Sequence, residues 1–252
     1  MNNYNEKLSE KEIKTSLTDV DAKVIYHIYK GFRLNTLLVS FGEPRRVLST
    51  LDGYKKVPYI GNTYTPLKLS EYTMQNFRAY KHDFPLTLGI LPRSIAFLGT
   101  GVDMDNLAVC EKTYEELTVC CLATAGAKGN ALRTGVDVAS YVERNGKFVG
   151  AGTINVILLT NAALRGGAMA RAVITATEAK TAALQDLDVQ STYSNNQATG
   201  TGTDNVIVAS GKLGKPLMLA SGHTKIGELI GSTTKIAVAE ALKKHDGIKN
   251  PT

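Results

Sequence analysis

Three polar positions in the C-terminal half of the chain have the side chains that hydrolysis of an amide or ester needs. His223 stands in Ser221-Gly222-His223-Thr224-Lys225, where a strand pattern gives way to a long helical one. Thr224 is a good helix N-cap, which puts His223 one residue ahead of the cap. A helix N-terminus carries unpaired N–H groups and a partial positive charge, so an imidazole there is held neutral beside amide donors. Such a group can take a proton from water while the amides meet a developing oxyanion. Asp204 closes the run Ala198-Thr199-Gly200-Thr201-Gly202-Thr203-Asp204-Asn205. Its glycines let backbone approach a ligand, and its hydroxyls and carboxylate can hydrogen-bond one. Glu178 sits in Thr175-Ala176-Thr177-Glu178-Ala179-Lys180-Thr181, inside an Ala-rich helical pattern. Thr is a mediocre helix former, so three of them there point to polar packing or a ligand. Each position also has a plainer reading, as a packed loop histidine, a glycine turn or a solvated helix face. Lys225 and Glu228, one turn apart at the second helix start, read as binding groups or as an i,i+3 ion pair.

Other chemistries fail on spacing. There are four histidines, His27, His82, His223 and His245, with no HExxH and no Cys/His cluster, so no metal is expected. His27 is out of phase with Val24, Tyr26 and Ile28 and reads as facing water, while His82 and His245 read as helix-end residues. The three cysteines, Cys110, Cys120 and Cys121, are odd in number, and strand neighbours point to opposite faces. They read as small buried groups in a reducing compartment. GxG tripeptides begin at Gly99, Gly150 and Gly200, but Met104, Asn155 and Asn205 stand where a third glycine is needed, so no dinucleotide fingerprint forms. Gly211-Lys212 is followed by Leu213 and is no phosphate loop. No cofactor is expected.

The elements that must position these residues follow from pattern. With 252 residues, 43% hydrophobic and 21% charged, the chain can bury a core as one large domain, which excludes disorder and collagen. The net charge of +6 is dispersed, so nucleic acid is not an expected partner. No apolar run approaches the ~20 residues of a membrane span, and the N-terminus has no signal-like apolar stretch. A cytoplasmic protein is the expectation. Residues 1–20 read as a polar arm, a short helix or a loose segment, and residues 21–247 as one domain. Alternation predicts hairpins at 22–41 and 106–123, strands at 95–98, 138–141, 153–159, 205–209 and 217–220, and a turn at Asn145-Gly146. Helices are predicted over about 70–80, 164–187 and 225–245. Early hairpins argue against a purely parallel sheet. The expected fold is therefore α/β with α+β character: a single domain with a mixed or antiparallel sheet covered by the two long helices of the C-terminal half.

Four runs carry a more specific signal. They are CLATAGAKGNALRTG ending at Gly135, the stretch from Gly152 through TATEAKTAAL to Leu184, ATGTGTDNVIVAS ending at Ser210, and SGHTKIGELIG ending at Gly231. In order and spacing they resemble the adenosylcobinamide amidohydrolase family, over residues 95–242. Residues 1–20 and 42–94 carry no matching motif. The resemblance implies hydrolysis of the amide that joins the aminopropanol arm to a corrin propionate. Its products are adenosylcobyric acid and aminopropanol, for corrinoid salvage in the cytoplasm of archaea and some bacteria. The corrinoid is then substrate and not prosthetic group, since none of the four histidines has Asp two residues before it. On this reading His223 is the general base, with Glu178 as its orienter or the acid and Asp204 completing the catalytic set. Thr199, Thr201, Thr203, Asn205, Thr224, Lys225 and Glu228 contact substrate, and Thr201 or Thr203 is an alternative nucleophile. Two other readings stay open, a different amide-cleaving or acyl-transferring enzyme and a non-catalytic corrinoid-binding partner. Assembly with further copies of the chain also stays open.

Overall fold

The computed structural model describes residues 5–138 and 153–249. The predicted strand at 138–141 and the Asn145-Gly146 turn lie outside that set or on its edge. In chain order the strands are β1 (Asn5–Ile13), β2 (Val20–Tyr29), β3 (Phe32–Ser49), β4 (Gly53–Tyr64), β5 (Ile95–Thr100), β6 (Ala108–Tyr114), β7 (Leu117–Ala125), β8 (Ala131–Leu132), β9 (Ile154–Thr160), β10 (Ala162–Leu164), β11 (Gly200–Thr201), β12 (Asn205–Ala209) and β13 (Leu213–Leu217). The helices are α1 (Leu67–Gln75) and α2 (Phe77–Thr87) between β4 and β5, α3 (Gly166–Asp186) after β10, and α4 (Lys225–Asp246) after β13.

Nine strands make one mixed sheet in the order β1-β2-β3-β12-β9-β7-β6, with β4 against β3 and β5 against β4. The β9–β12 and β4–β5 pairs are parallel, and the other pairs of this sheet are antiparallel. β3 joins the two halves. Its first part pairs β2 from Phe32 to Phe41, its end pairs β12 at Val47–Ser49, and its register with β4 shifts between Ser40 and Arg45. A register shift of this kind bends a strand and raises its twist. The buried Arg45 guanidinium holds the bend, donating to the Thr160 carbonyl at 3.2 Å, pairing with Asp19 and lying over the Phe41 ring.

The bend folds the sheet onto itself and produces three cores. Between the halves lie Val24, Leu37, Val39, Ile60 and Leu98 on one side and Cys120, Leu122, Ile157 and Ile207 on the other. Outside the second half, Cys121, Val156, Leu158 and Val208 pack on α3 and α4. The α3 stripe of Ala168, Ala172 and Ala176 has small side chains, which lets the helix approach the sheet closely. Outside the first half, Ile25, Tyr29, Leu38 and Phe97 pack against Tyr80 and Phe84 of α2. Cys120 and Cys121 thus face different cores, as strand alternation requires.

Several expectations need correction. The N-terminal arm forms β1, an antiparallel edge strand on β2. Its residues are charged and exposed, so no apolar face announced it, and charge is how an edge strand is protected from further pairing. The single helix predicted over 70–80 is two helices broken at Asn76, whose backbone leaves helical geometry and whose side-chain amide donates to the Tyr72 carbonyl. The strand predicted at 217–220 is β13, ending at Leu217. His27 does not face water. It is 3% exposed and shares a 2.9 Å hydrogen bond with Thr36 Oγ1, because α2 covers the face that pattern alone assigned to solvent. Among the described residues, no helix is long and apolar enough to cross a membrane.

Candidate active site

At one end of the folded sheet, β4 and β5 finish where β9 and β12 begin. Asn155 Nδ2 donates to Asn62 Oδ1 and to the Gly99 carbonyl, both at 2.9 Å, and Asn62 Nδ2 donates to Thr124 Oγ1 at 2.9 Å. These buried amides seal the inter-sheet core. Above them lies a cavity of about 350 Å³. Its walls are the Gly99–Gly101 turn, Thr153, the turn from Gly202 to Asn205, and residues of α1 and α2 including Met74, Phe77, Tyr80 and Lys81.

The second turn is held by Asp204. Its carboxylate accepts from Lys180 Nζ, from Thr201 N at 3.0 Å, from Thr201 Oγ1 at 2.5 Å and from Ile154 N at 3.0 Å. A carboxylate has about four acceptor positions, and all are in use. Asp204 is therefore an anchor before it is a base. The Lys180–Asp204 pair is largely withdrawn from solvent, with side chains 11% and 15% exposed. A Cβ at Gly200 would come within 2.4 Å of Asp204 Oδ2 and 2.5 Å of Lys180 Nζ. That glycine makes room for the chain's own ion pair, not for a ligand. Thr181 Oγ1 donates to the Thr199 carbonyl at 2.9 Å, and β11 pairs β8 through Thr201–Ala131 and Gly200–Leu132. A Cβ at Gly202 would stand 3.1 Å from the Asn130 amide. The runs around TATEAKTAAL, TGTGTD and AGAKGNALRTG thus meet in one place.

Lys180 is the residue that sequence reading missed here. The signal was present, since Ala172, Ala176, Lys180 and Leu184 follow four-residue spacing along the buried stripe of α3. Glu178 is exposed, about 200° around the helix from Lys180. Thr203, Asp204 and Asn205 line the cavity, whereas Thr199 and Thr201 stand behind it in the turn.

His223 lies elsewhere. Thr224 caps α4, its Oγ1 accepting from Gly227 N at 3.2 Å, and His223 is exposed just before it. Lys225 Nζ meets Glu228 Oε2 at 2.6 Å and stands over the Tyr114 ring. Thr224, Lys225 and Ile226 share a shallow apolar concavity with Leu117, Leu217, Met218 and Leu219. Leu117 opens β7, whose Val119 pairs Thr160 at the end of β9, while Asn205 pairs Asn155 near its start. Those two positions are about 17 Å apart along the strand. α4 then runs back across the sheet, so that its Asp246 accepts from Ala127 N at the cavity end. His223 and Asp204 occupy opposite ends of the sheet, and the expected meeting of Glu178, Asp204 and His223 does not occur.

The cavity has its own charged group. Lys81 Nζ donates to Asp52 Oδ2 and to the Phe97 carbonyl, both at 2.9 Å, and sits 4.0 Å from the Phe97 ring centroid. Asp52 Oδ2 also accepts from Phe97 N at 3.1 Å. Burial lowers the Lys81 pKa, and Asp52 opposes that shift. Burial raises the pKa of the Tyr80 phenol, which lies by Thr65 and Thr63. His27, deeper in the same half, is lowered to about 4 by burial. Among the described residues, no three His, Cys, Asp or Glu side chains are grouped to hold a metal.

A mixed sheet with helices on both outer faces defines an α/β protein, with a part-apolar cavity at one strand end. The chain matches the family model of CbiZ, adenosylcobinamide amidohydrolase, over residues 20–250, and it belongs to that family. It is 45% identical over 226 residues to the uncharacterized protein MJ1613 of Methanocaldococcus jannaschii, which spans 85% of this chain and 88% of that one. A crystal structure of the PH0078 protein from Pyrococcus horikoshii OT3 aligns with a TM-score of 0.44 at 12% identity, covering 85% of this chain and 78% of that one. The family match takes in residues 42–94, where no motif was recognised, and so includes the α1–α2 wall of the cavity.

Proposed function

We propose that this chain hydrolyses the amide between the aminopropanol arm and the corrin ring of adenosylcobinamide, giving adenosylcobyric acid and aminopropanol, and that the reaction takes place in the cavity beside Asp204. Family membership supports the reaction class. The observation that carries the location is the convergence of three family-like runs on one cavity wall through Lys180, Asp204 and Asn130. The cavity is at the small end of ligand pockets, so on this reading it takes the arm and its amide. The macrocycle then rests at the mouth against Leu51, Met74 and Phe77. Thr203 and Asn205 are the polar side chains of the turn that reach the arm. Asp204 and Lys180 act as positioning residues that fix this wall.

The test is release of aminopropanol from adenosylcobinamide, followed by mass spectrometry. Wild-type protein releases it. Lys180→Met and Asp204→Asn lose on the order of a hundredfold in turnover, the scale of an ångström-sized misplacement of a catalytic wall. His223→Ala stays near wild type. Substrate that binds and stays intact would overturn hydrolysis in favour of a corrinoid-binding role. Loss of turnover in His223→Ala alone would move the reaction to the α4 end.

A further inference from the structure

The charge balance of the cavity gives Lys81 a role beyond the ion pair it makes. Its side chain is 18% exposed and reaches the cavity wall from α2. Two of its three protons go to Asp52 and to the Phe97 carbonyl, and the third has no acceptor among the described residues. Asp52 is shared, because Lys55 Nζ also lies 3.8 Å from it. Asp52 stands behind the wall, and the carboxylate that does line the cavity, Asp204, is answered by Lys180. Of these five groups only Lys81 and Asp204 line the cavity, and the set of three lysines and two carboxylates at and behind its wall carries one more positive charge than negative. The Phe97 ring lies against the ammonium and Tyr80 stands beside it on the same wall. With little water nearby, such a charge acts more strongly than it would at an exposed site.

We propose that Lys81 is the acyl-oxygen contact of the cavity: its ammonium takes the carbonyl oxygen of the bound amide and afterwards the carboxylate of the acid product. The site is thus a carboxylate site for a propionate-type acid. This rests on the hydrolytic reading above. In that reaction a water oxygen bonds to the acyl carbon, the C–N bond breaks, and the amine leaves with a proton from the water. The acyl oxygen is neutral in the substrate, anionic in the tetrahedral intermediate and part of an anion in the product. A fixed ammonium favours the charged states over the neutral one, which is the differential binding that speeds a reaction. The same preference makes the acid product an inhibitor.

Two readouts test the proposal on the full chain. The first is inhibition of turnover by adenosylcobyric acid. The second is equilibrium binding of propionate, with propionamide as the neutral control, followed by ligand-observed NMR and independent of turnover. In wild type, propionate binds and propionamide does not. Lys81→Met should weaken product inhibition by about tenfold or more, and abolish propionate binding, as loss of a charge-assisted contact does. Lys81→Arg should restore much of both. Asp52→Asn, which removes the internal partner and keeps an acceptor for Phe97 N, should tighten product binding. Thermal melts report whether each variant is folded. A folded Lys81→Met protein with unchanged product inhibition and unchanged propionate binding overturns the proposal. Hydrolysis by wild type without any propionate binding overturns Lys81's role and leaves the proposed function standing. Lys81-dependent propionate binding without release of aminopropanol overturns the hydrolytic reading and leaves the carboxylate site standing.

Discussion

The two ends of the folded sheet hold similar ingredients and use them differently. At the cavity end, Lys180 and Asp204 form an ion pair withdrawn from solvent, and every acceptor position of the carboxylate is filled. At the α4 end, Lys225 and Glu228 form an ion pair on the surface, beside an exposed imidazole and a shallow apolar concavity. Both ends have a threonine- and glycine-bearing turn next to a helix or strand. Only the first couples three distant stretches of chain around a cavity. The lesson is that a buried lysine closing a glycine turn draws distant stretches of chain together, whereas a capped helix N-terminus with a histidine need not.

The largest expected difference between the ends is in stability. Lys180→Met leaves Asp204 without its cation in a poorly solvated place, and breaking a buried pair in this way costs about 3–5 kcal/mol. Urea unfolding at pH 7 measures it. A loss below 1 kcal/mol would mean that the pair is solvated and does not organise the turn. Next comes acid. His27 is held neutral, with its pKa lowered to about 4, against a usual value near 6.5. The unfolded chain binds the proton more readily, so stability is full above pH 6.5 and falls as pH drops from there towards 4. The loss is on the order of 3 kcal/mol. His27→Gln should flatten that part of the profile.

Glycine substitutions sharpen the comparison at a smaller scale. A Cβ at Gly200 meets the ends of two side chains, Asp204 and Lys180, which can shift, so Gly200→Ala should lower turnover about tenfold with a modest loss of stability. A Cβ at Gly227 meets the backbone of Ser221 at 2.0 Å, which cannot shift. Gly227→Ala should cost about 1–3 kcal/mol or more while the folded protein keeps its turnover. The reverse pattern would place the reaction at the α4 end. Smallest of all, Lys225→Ala or Glu228→Ala should leave the thermal midpoint unchanged, since exposed pairs of this kind contribute little.

Much of the frame was legible because it is local. Asn205–Ala209 is a strand with the predicted bounds, and the two long helices end within two residues of their patterns. The family was legible in four runs of residues. The misreadings have physical causes. β1 has no apolar face, so period-two burial had nothing to show. His27 was assigned to water because α2, fifty residues away, covers that face of β2. The separation of His223 from Asp204 was readable in principle. Asp204 precedes β12 and His223 follows β13, and since β12 runs parallel to β9 and β13 parallel to the β10 that follows it, the two residues lie at opposite ends of that run. Lys180 was hidden by its Ala-rich surroundings, although its four-residue spacing from Ala176 marked the buried face.

The most direct measurement is the turnover of adenosylcobinamide by folded Asp204→Asn and folded His223→Ala, side by side, read as aminopropanol released per enzyme. A reaction centred in the cavity predicts collapse in the first variant and near wild-type release in the second. Undiminished release by Asp204→Asn together with collapse in His223→Ala would contradict it.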